Sequence, residues 1–177
     1  MSALFGPITQ VAFVTRDIHA SIDFYVNQLG IGPWFMADRA VNKHRYKGQA
    51  CEFVMSVAMA DAGGLQLELM QTHDEVPTMY LDWMKRPFER DLQQHICFWP
   101  LDYDARVEKA LKAGYEVVQD GASARGRFIY FTHPRNPDQV VEFTEPTPAR
   151  QAFNVAIARA AQGWDGKDPV RPFSAAV

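Results

Sequence analysis

A chain of 177 residues, 47% of them apolar, can bury a core as one compact domain or two small fused modules, and is too apolar to be disordered as a whole. The formal charge of -3 and the lack of any Lys/Arg run exclude a surface that tracks phosphates, so nucleic acid is not an expected partner. No apolar run is long enough for a membrane span, and MSALFGPITQVAFVT lacks the basic region, apolar core and cleavage site of a signal peptide. These features, with Cys51 and Cys97 outside any CxxC pair, lead us to expect a soluble cytoplasmic protein with reduced thiols.

In chain order, the period of the apolar residues predicts a strand near 7 to 15 and a helix from Asp17 to Leu29. Asp17 serves as N-cap and Gly30 as stop. Strands follow near 33 to 41, 51 to 60 and 65 to 72, with KHRYKG and DAGG as the turns between them. Residues 77 to 90 predict a linking helix entered at Pro77. QQHICFW is the next strand, DYDARVEKALKAGY a second amphipathic helix, and 115 to 119, 126 to 132 and 138 to 144 three further strands. Thr147 and Pro148 then open an alanine-rich helix with one apolar stripe, suited to pack over the domain or a subunit partner, before an irregular arm.

The order βαβββ thus occurs twice, in modules at 7–73 and 92–146, followed by a helix and arm at 147–177. QVAFVTRDIHA laid over HICFWPLDYDA brings Asp17 onto Asp102, and the closing strands LQLELM and DQVVEF match through Glu68 and Glu142. The equivalences single out Gln10 and His95 on the opening strands and Glu68 and Glu142 on the closing strands. Strand parity puts Gln10 with Ala12 and Val14, and Glu68 with Gln66 and Met70, away from the leucine face of LQLELM.

A carboxylate removed from water costs roughly several kcal/mol unless a cation or hydrogen-bond donors compensate it. Two such groups exceed what one neutral histidine can offset. A divalent metal (Zn, Ni, Co, Mn or Mg) would suit three oxygen donors and one imidazole, and would leave positions for water or substrate.

ITQVAFVTRDIHASIDFYVNQLGIGPW, GLQLELMQ, QHICFW and QVVEFTEP together resemble the vicinal oxygen chelate superfamily, the glyoxalase/bleomycin resistance/dioxygenase group, over residues 7 to 146. The resemblance implies an α+β fold in which tandem βαβββ modules form an incompletely closed barrel. It also implies one metal held by Gln10, Glu68, His95 and Glu142, a ligand combination similar to that of some glyoxalase I enzymes. The function implied is a metal-dependent isomerase, epimerase or lyase, with Glu142 as first base and Glu68 as the opposing acid/base. Epimerases of the group use a further Glu on an adjacent strand, for which Glu52 is the nearest candidate.

Arg45, Tyr46, Trp34, Trp99 and Tyr130 are candidates to shape a pocket for an acyl-CoA, a glutathione adduct or a hydrophobic ketone, or simply to pack. His19, His44, His73 and His133 read as solvated residues of helix faces or loops, and Cys97 as packing. A homodimer is expected from the alanine-rich tail. The competing reading is a binding protein of the bleomycin-resistance kind. An extradiol-type dioxygenase fits less well, because Gln10 stands where that chemistry places a second histidine.

Overall fold

The computed structural model describes residues 2–176. The first module contains β1 (Gln10–Thr15), α1 (Ile18–Leu29), β2 (Trp34–Tyr46), β3 (Gln49–Asp61) and β4 (Gln66–Thr72). After α2 (Met79–Met84), the second contains β5 (Asp91–Phe98), α3 (Tyr103–Lys112), β6 (Glu116–Ser123), β7 (Gly126–His133) and β8 (Asn136–Thr144). α4 (Pro148–Ala161) and β9 (Val170–Pro172) follow, and a 3-10 turn over Phe173–Ala176 completes the described chain. The doubled βαβββ order is as expected.

The sheet runs β3-β4-β1-β5-β8-β7-β6-β2, and β2 pairs again with β3. Eight strands therefore close a ring, where an incompletely closed barrel was expected. The two modules meet at two joints of unequal length. At one, β1 lies antiparallel to β5 from Gln10 to Thr15. At the other, only His44, Arg45 and Tyr46 of β2 pair with Gly121, Asp120 and Gln119 of β6. The opposite end of β2 instead pairs in parallel with β9, so β2 and β6 diverge between these pairings. The C-terminal arm, irregular by sequence, thereby adds a short edge strand.

The caps follow local chemistry. Asp17 accepts from the backbone N–H of His19 and Ala20 at 3.1 and 3.0 Å, and Gly30 ends α1 in the left-handed region at φ 67°. Asp102, its counterpart, makes no such cap and pairs with Arg106 at 3.0 Å instead. The linking helix is much shorter than the span 77–90, because Pro87 stands just beyond its last turn.

Two differences in β2 matter for the interior. KHRYKG is mostly strand, and only Lys47 and Gly48, at φ 49° and 79°, make the turn. A bulge at Asp38 and Arg39, where Ala37 pairs with Val57 but Ala40 pairs with Met55, reverses the parity of everything after it. Phe35 and Ala37 before the bulge, and Ala40, Asn42, His44 and Tyr46 after it, consequently face inward.

Outside the ring, α1 packs Ile18 and Ile22 onto Trp34, Ala58, Ala60 and Leu69. Trp34 belongs to this outer layer; its indole N–H donates to the Ile31 carbonyl at 3.0 Å. α2 fills one end of the ring, burying Met79, Tyr80 and Trp83 with Tyr46 and Phe53. α4 covers the other end, burying Phe153 and Ile157 against Phe35 and Met59, with Phe173 beside them. Phe153 and Ile157 of the α4 stripe are thus buried by their own chain, while Ala149 and Ala152 stay exposed. No helix among the described residues is long and apolar enough to cross a membrane.

Candidate metal centre

The antiparallel register of β1 and β5 places Gln10 opposite Cys97 and Ala12 opposite His95. The parallel registers then set Glu68 beside Ala12 and Glu142 beside Cys97. Each long polar side chain therefore leans over a small one, and four donors from four strands converge on one interior point. Gln10, Glu68, His95 and Glu142 are all buried.

Nε2 of His95 lies 2.9 Å from Oε2 of Glu142, 3.4 Å from Oε2 of Glu68 and 3.4 Å from Oε1 of Gln10. The ligand atoms of Glu68, His95 and Glu142 all fall within 4.8 Å of one another. Donors bonded to one cation at about 2.0–2.2 Å stand roughly 3 Å apart when adjacent, so the spacing suits a shared ion.

The surrounding polar groups set the donor atoms. Gln94 Oε1 lies 2.6 Å from Nδ1 of His95, a contact that fixes the ring with Nε2 toward the carboxylates. The Gln10 amide donates through Nε2 to Gln66 Oε1 at 2.7 Å, turning its own oxygen toward His95. The donor set present fits a divalent cation: two buried carboxylates, an oriented imidazole nitrogen and an amide oxygen.

The two acids differ electrostatically. Burial pushes Glu68 up to about 7, against the pull of a His95 charge, with repulsion from Glu142 adding to the rise. Burial acts on Glu142 as well. There the charge and hydrogen bond of His95, the charge of Arg150 and a hydrogen bond from Cys97 outweigh it, and the carboxyl lies below its ordinary value. Cys97 itself is pushed well up by burial and remains a thiol.

The donors open into a cavity of about 180 Å³ that Glu68, Glu142, Trp99, Tyr130, Arg150 and Phe173 help to line. Tyr80 donates to the Tyr130 hydroxyl at 3.0 Å, and burial keeps both phenols un-ionised. Trp99 and Tyr130 are thus where a pocket-shaping role would need them.

Arg45 and Tyr46 are elsewhere. The bulge in β2 turns Arg45 outward, where its Nε is 3.0 Å from Asp120, and the Tyr46 hydroxyl donates to Asp82. Glu52 is also outside, on the exposed face of β3 and 3.1 Å from Lys43, so it is not an additional cavity carboxylate.

His44 is the histidine that sequence reasoning misplaced. It lines the cavity instead of standing in a solvated turn, its ring packs edge-on to Phe53 and Phe128, and burial lowers its pKa to about 4. The alternation of Asn42, His44 and Tyr46 was the available signal. Arg125, Arg150 and Asn154 were also missed; they reach the cavity from a hairpin tip and from α4, which no strand period reveals.

Methylmalonyl-CoA epimerase from Mycobacterium tuberculosis has a similar structure, with TM-score 0.61 and 16% identity over 86% of this chain and 95% of that one. A hypothetical protein from Bacillus halodurans gives 0.60 and 18%, covering 80% and 94% of the two chains. Streptomyces coelicolor methylmalonyl-CoA epimerase in complex with 2-nitronate-propionyl-CoA gives 0.59 and 17%, covering 81% and 96%. At these identities the likeness is one of fold. No curated protein sequence matches the chain. The model of the glyoxalase/bleomycin resistance protein/dioxygenase superfamily matches residues 9–131, and with the doubled module and its converging strands this chain belongs to that superfamily.

Proposed function

We propose that this chain is a divalent-metal-dependent isomerase or epimerase that moves a proton at the carbon beside a carbonyl of a small molecule or thioester. The observation that carries the reading is the meeting of Glu68 and Glu142, from equivalent strands of the two modules, at one imidazole beside a cavity. Gln10, Glu68, His95 and Glu142 would hold the ion. When bound, it supplies Lewis-acid polarisation of a carbonyl, which makes the neighbouring C–H more acidic.

The chain's own groups would divide the proton transfer. Glu142 accepts the proton from carbon, and Glu68, on the equivalent strand of the other module, returns one from the other side. Gln94 holds the His95 ring in place. Loss of a leaving group after the first transfer would make the same site a lyase.

The epimerase relatives bind acyl-CoA derivatives, including methylmalonyl-CoA, which supports a carbonyl substrate. The cavity of about 180 Å³ is below the roughly 300–1,000 Å³ usual for ligand sites. Only the acyl end of a thioester would enter it; a glutathione adduct or larger ketone would likewise place only its reacting end inside. A homodimer could not use Phe153 and Ile157 of α4, which are buried within the chain, and sedimentation equilibrium measures the assembly.

Metal analysis of protein purified without chelator, followed by deuterium wash-in at the acidic carbon of 2-oxo acids and acyl-CoAs, tests the reading. Metal at about one per chain with exchange is expected. A metal-free chain, or metal without exchange on any candidate, overturns the isomerase and leaves a binding protein of the bleomycin-resistance kind.

A further inference from the structure

Two arginines stand at the cavity wall with no acid to pair with. Arg125 comes from the tip of the β6–β7 hairpin and Arg150 from the first turn of α4, and both line the cavity. The Arg150 Nε is buried without a hydrogen-bond partner. Glu145, which feels the charge of Arg150, is held by another residue: Arg127 pairs with it and with Asp104, each at 2.9 Å. Arg125 lies over the Phe153 ring at 3.9 Å and near Phe173 at 5.4 Å, an apolar platform that removes water and supplies no counter-charge. Burial and the charge of Arg150 together depress Arg125 below its ordinary value.

The pair is built into the backbone. The Thr147 hydroxyl donates to the Arg125 carbonyl at 2.7 Å and accepts from the Arg150 N–H at 3.2 Å, so one side chain ties both residues. Gly126 permits the close approach: a Cβ there would fall 2.7 Å from Thr147 Cγ2. Glu68 and Glu142 both feel the charge of Arg150 without pairing with it, so a space remains between guanidinium and carboxylates.

We propose that Arg125 and Arg150 form a subsite for a carboxylate of the substrate, placed so that the group next to it reaches Glu68 and Glu142. Two like charges, one of them over an apolar platform, repel each other until an anion arrives, and a planar guanidinium suits a carboxylate through paired N–H donors. The substrate class is then a short carboxylic acid with a carbonyl near the reacting carbon, bound either free or as a carboxyacyl thioester. This assignment rests on the proton-transfer reading for its orientation. The anion site itself stands on the arginines alone.

Calorimetric titration of the full chain with 2-oxobutyrate and with its uncharged amide tests the subsite, since both probes carry the same carbonyl. Wild type should prefer the acid by at least about tenfold, and Arg150→Gln and Arg125→Gln should each remove on the order of tenfold of that preference. Equal binding of acid and amide by wild type, or an unchanged preference in both variants, overturns the proposal. Malonyl-CoA against acetyl-CoA forms the second arm: selective, arginine-dependent binding of malonyl-CoA assigns the thioester source, and selectivity confined to 2-oxobutyrate assigns the free acid. Metal titration of the same variants keeps the two readings apart. A chain that binds the acid through its arginines but takes up no metal sinks the metal reading and leaves the carboxylate subsite in place.

Discussion

Glu68 and Glu142, on the closing strands of the two modules, reach the same nitrogen of His95 from separate strands, at 3.4 and 2.9 Å. Their equal positions and unequal surroundings are the source of several expectations. One acid is driven toward its neutral form and the other away from it, which two solvated glutamates would not do.

Glu142→Gln is expected to abolish deuterium exchange while the far-UV circular dichroism and cooperative melt remain. The amide keeps the shape and a donor oxygen but cannot accept the proton from carbon. Turnover at the wild-type rate would remove Glu142 from the base role.

His95→Ala should weaken metal binding by tenfold or more, and Gln94→Leu by about tenfold, the order of effect seen when the partner of a ligating histidine is lost. The Gln94 substitution also removes an amide nitrogen that is buried without a partner, so its stability cost should be small. Competition titration against a chromogenic chelator measures both; an unaltered affinity in Gln94→Leu would mean that the ring needs no fixed tautomer.

Metal uptake should be linked to protons. Glu68 sits at about 7 in the folded metal-free chain, above its ordinary 4.5. A carboxyl that holds its proton more tightly when folded contributes stability at low pH, and this contribution is lost as pH rises from 4.5 through 7. A cation replaces the proton. The rise in Tm on adding zinc should accordingly grow between pH 5 and pH 7 and flatten above, and Glu68→Gln should erase the slope. Calorimetric scans with and without metal read this directly.

Glu52→Gln should leave exchange rate, metal content and Tm unchanged, because the side chain is an exposed partner of Lys43 outside the cavity. A large loss of exchange would return Glu52 to the reaction.

Thr147→Ala should lower stability by about 1–2 kcal/mol, as expected for a lost helix N-cap, and loosen both arginines. Urea unfolding reads the first effect. An unaltered midpoint would mean that solvent replaces both hydrogen bonds of the hydroxyl.

The repeat made the donors legible before any coordinates, because opening and closing strands of equivalent modules must meet if the modules pair by a twofold. Gln10 and His95 correspond in the sequence and lie across the β1–β5 joint as that symmetry requires. Arg45 was misplaced by a local event. KHRYKG reads as a turn, whereas β2 continues through it, and the bulge that inverts the faces of β2 sends Arg45 outward. His44 was hidden by its company, since Lys43, Arg45, Lys47 and Gly48 make the segment look like a loop. Arg150 and Phe173 reach the site only through the docking of α4 and the arm onto the open end of the ring. That docking is tertiary, and no local period carries it.

The two joints of the ring also imply a preferred direction of breathing. Widening the wall at β2 and β6 separates only three residue pairs, whereas parting β1 from β5 would break a six-residue ladder and scatter the donors carried by both strands. A bulky guest would therefore enter by unzipping the short seam, with the ion cradle on the far wall acting as the hinge that stays shut.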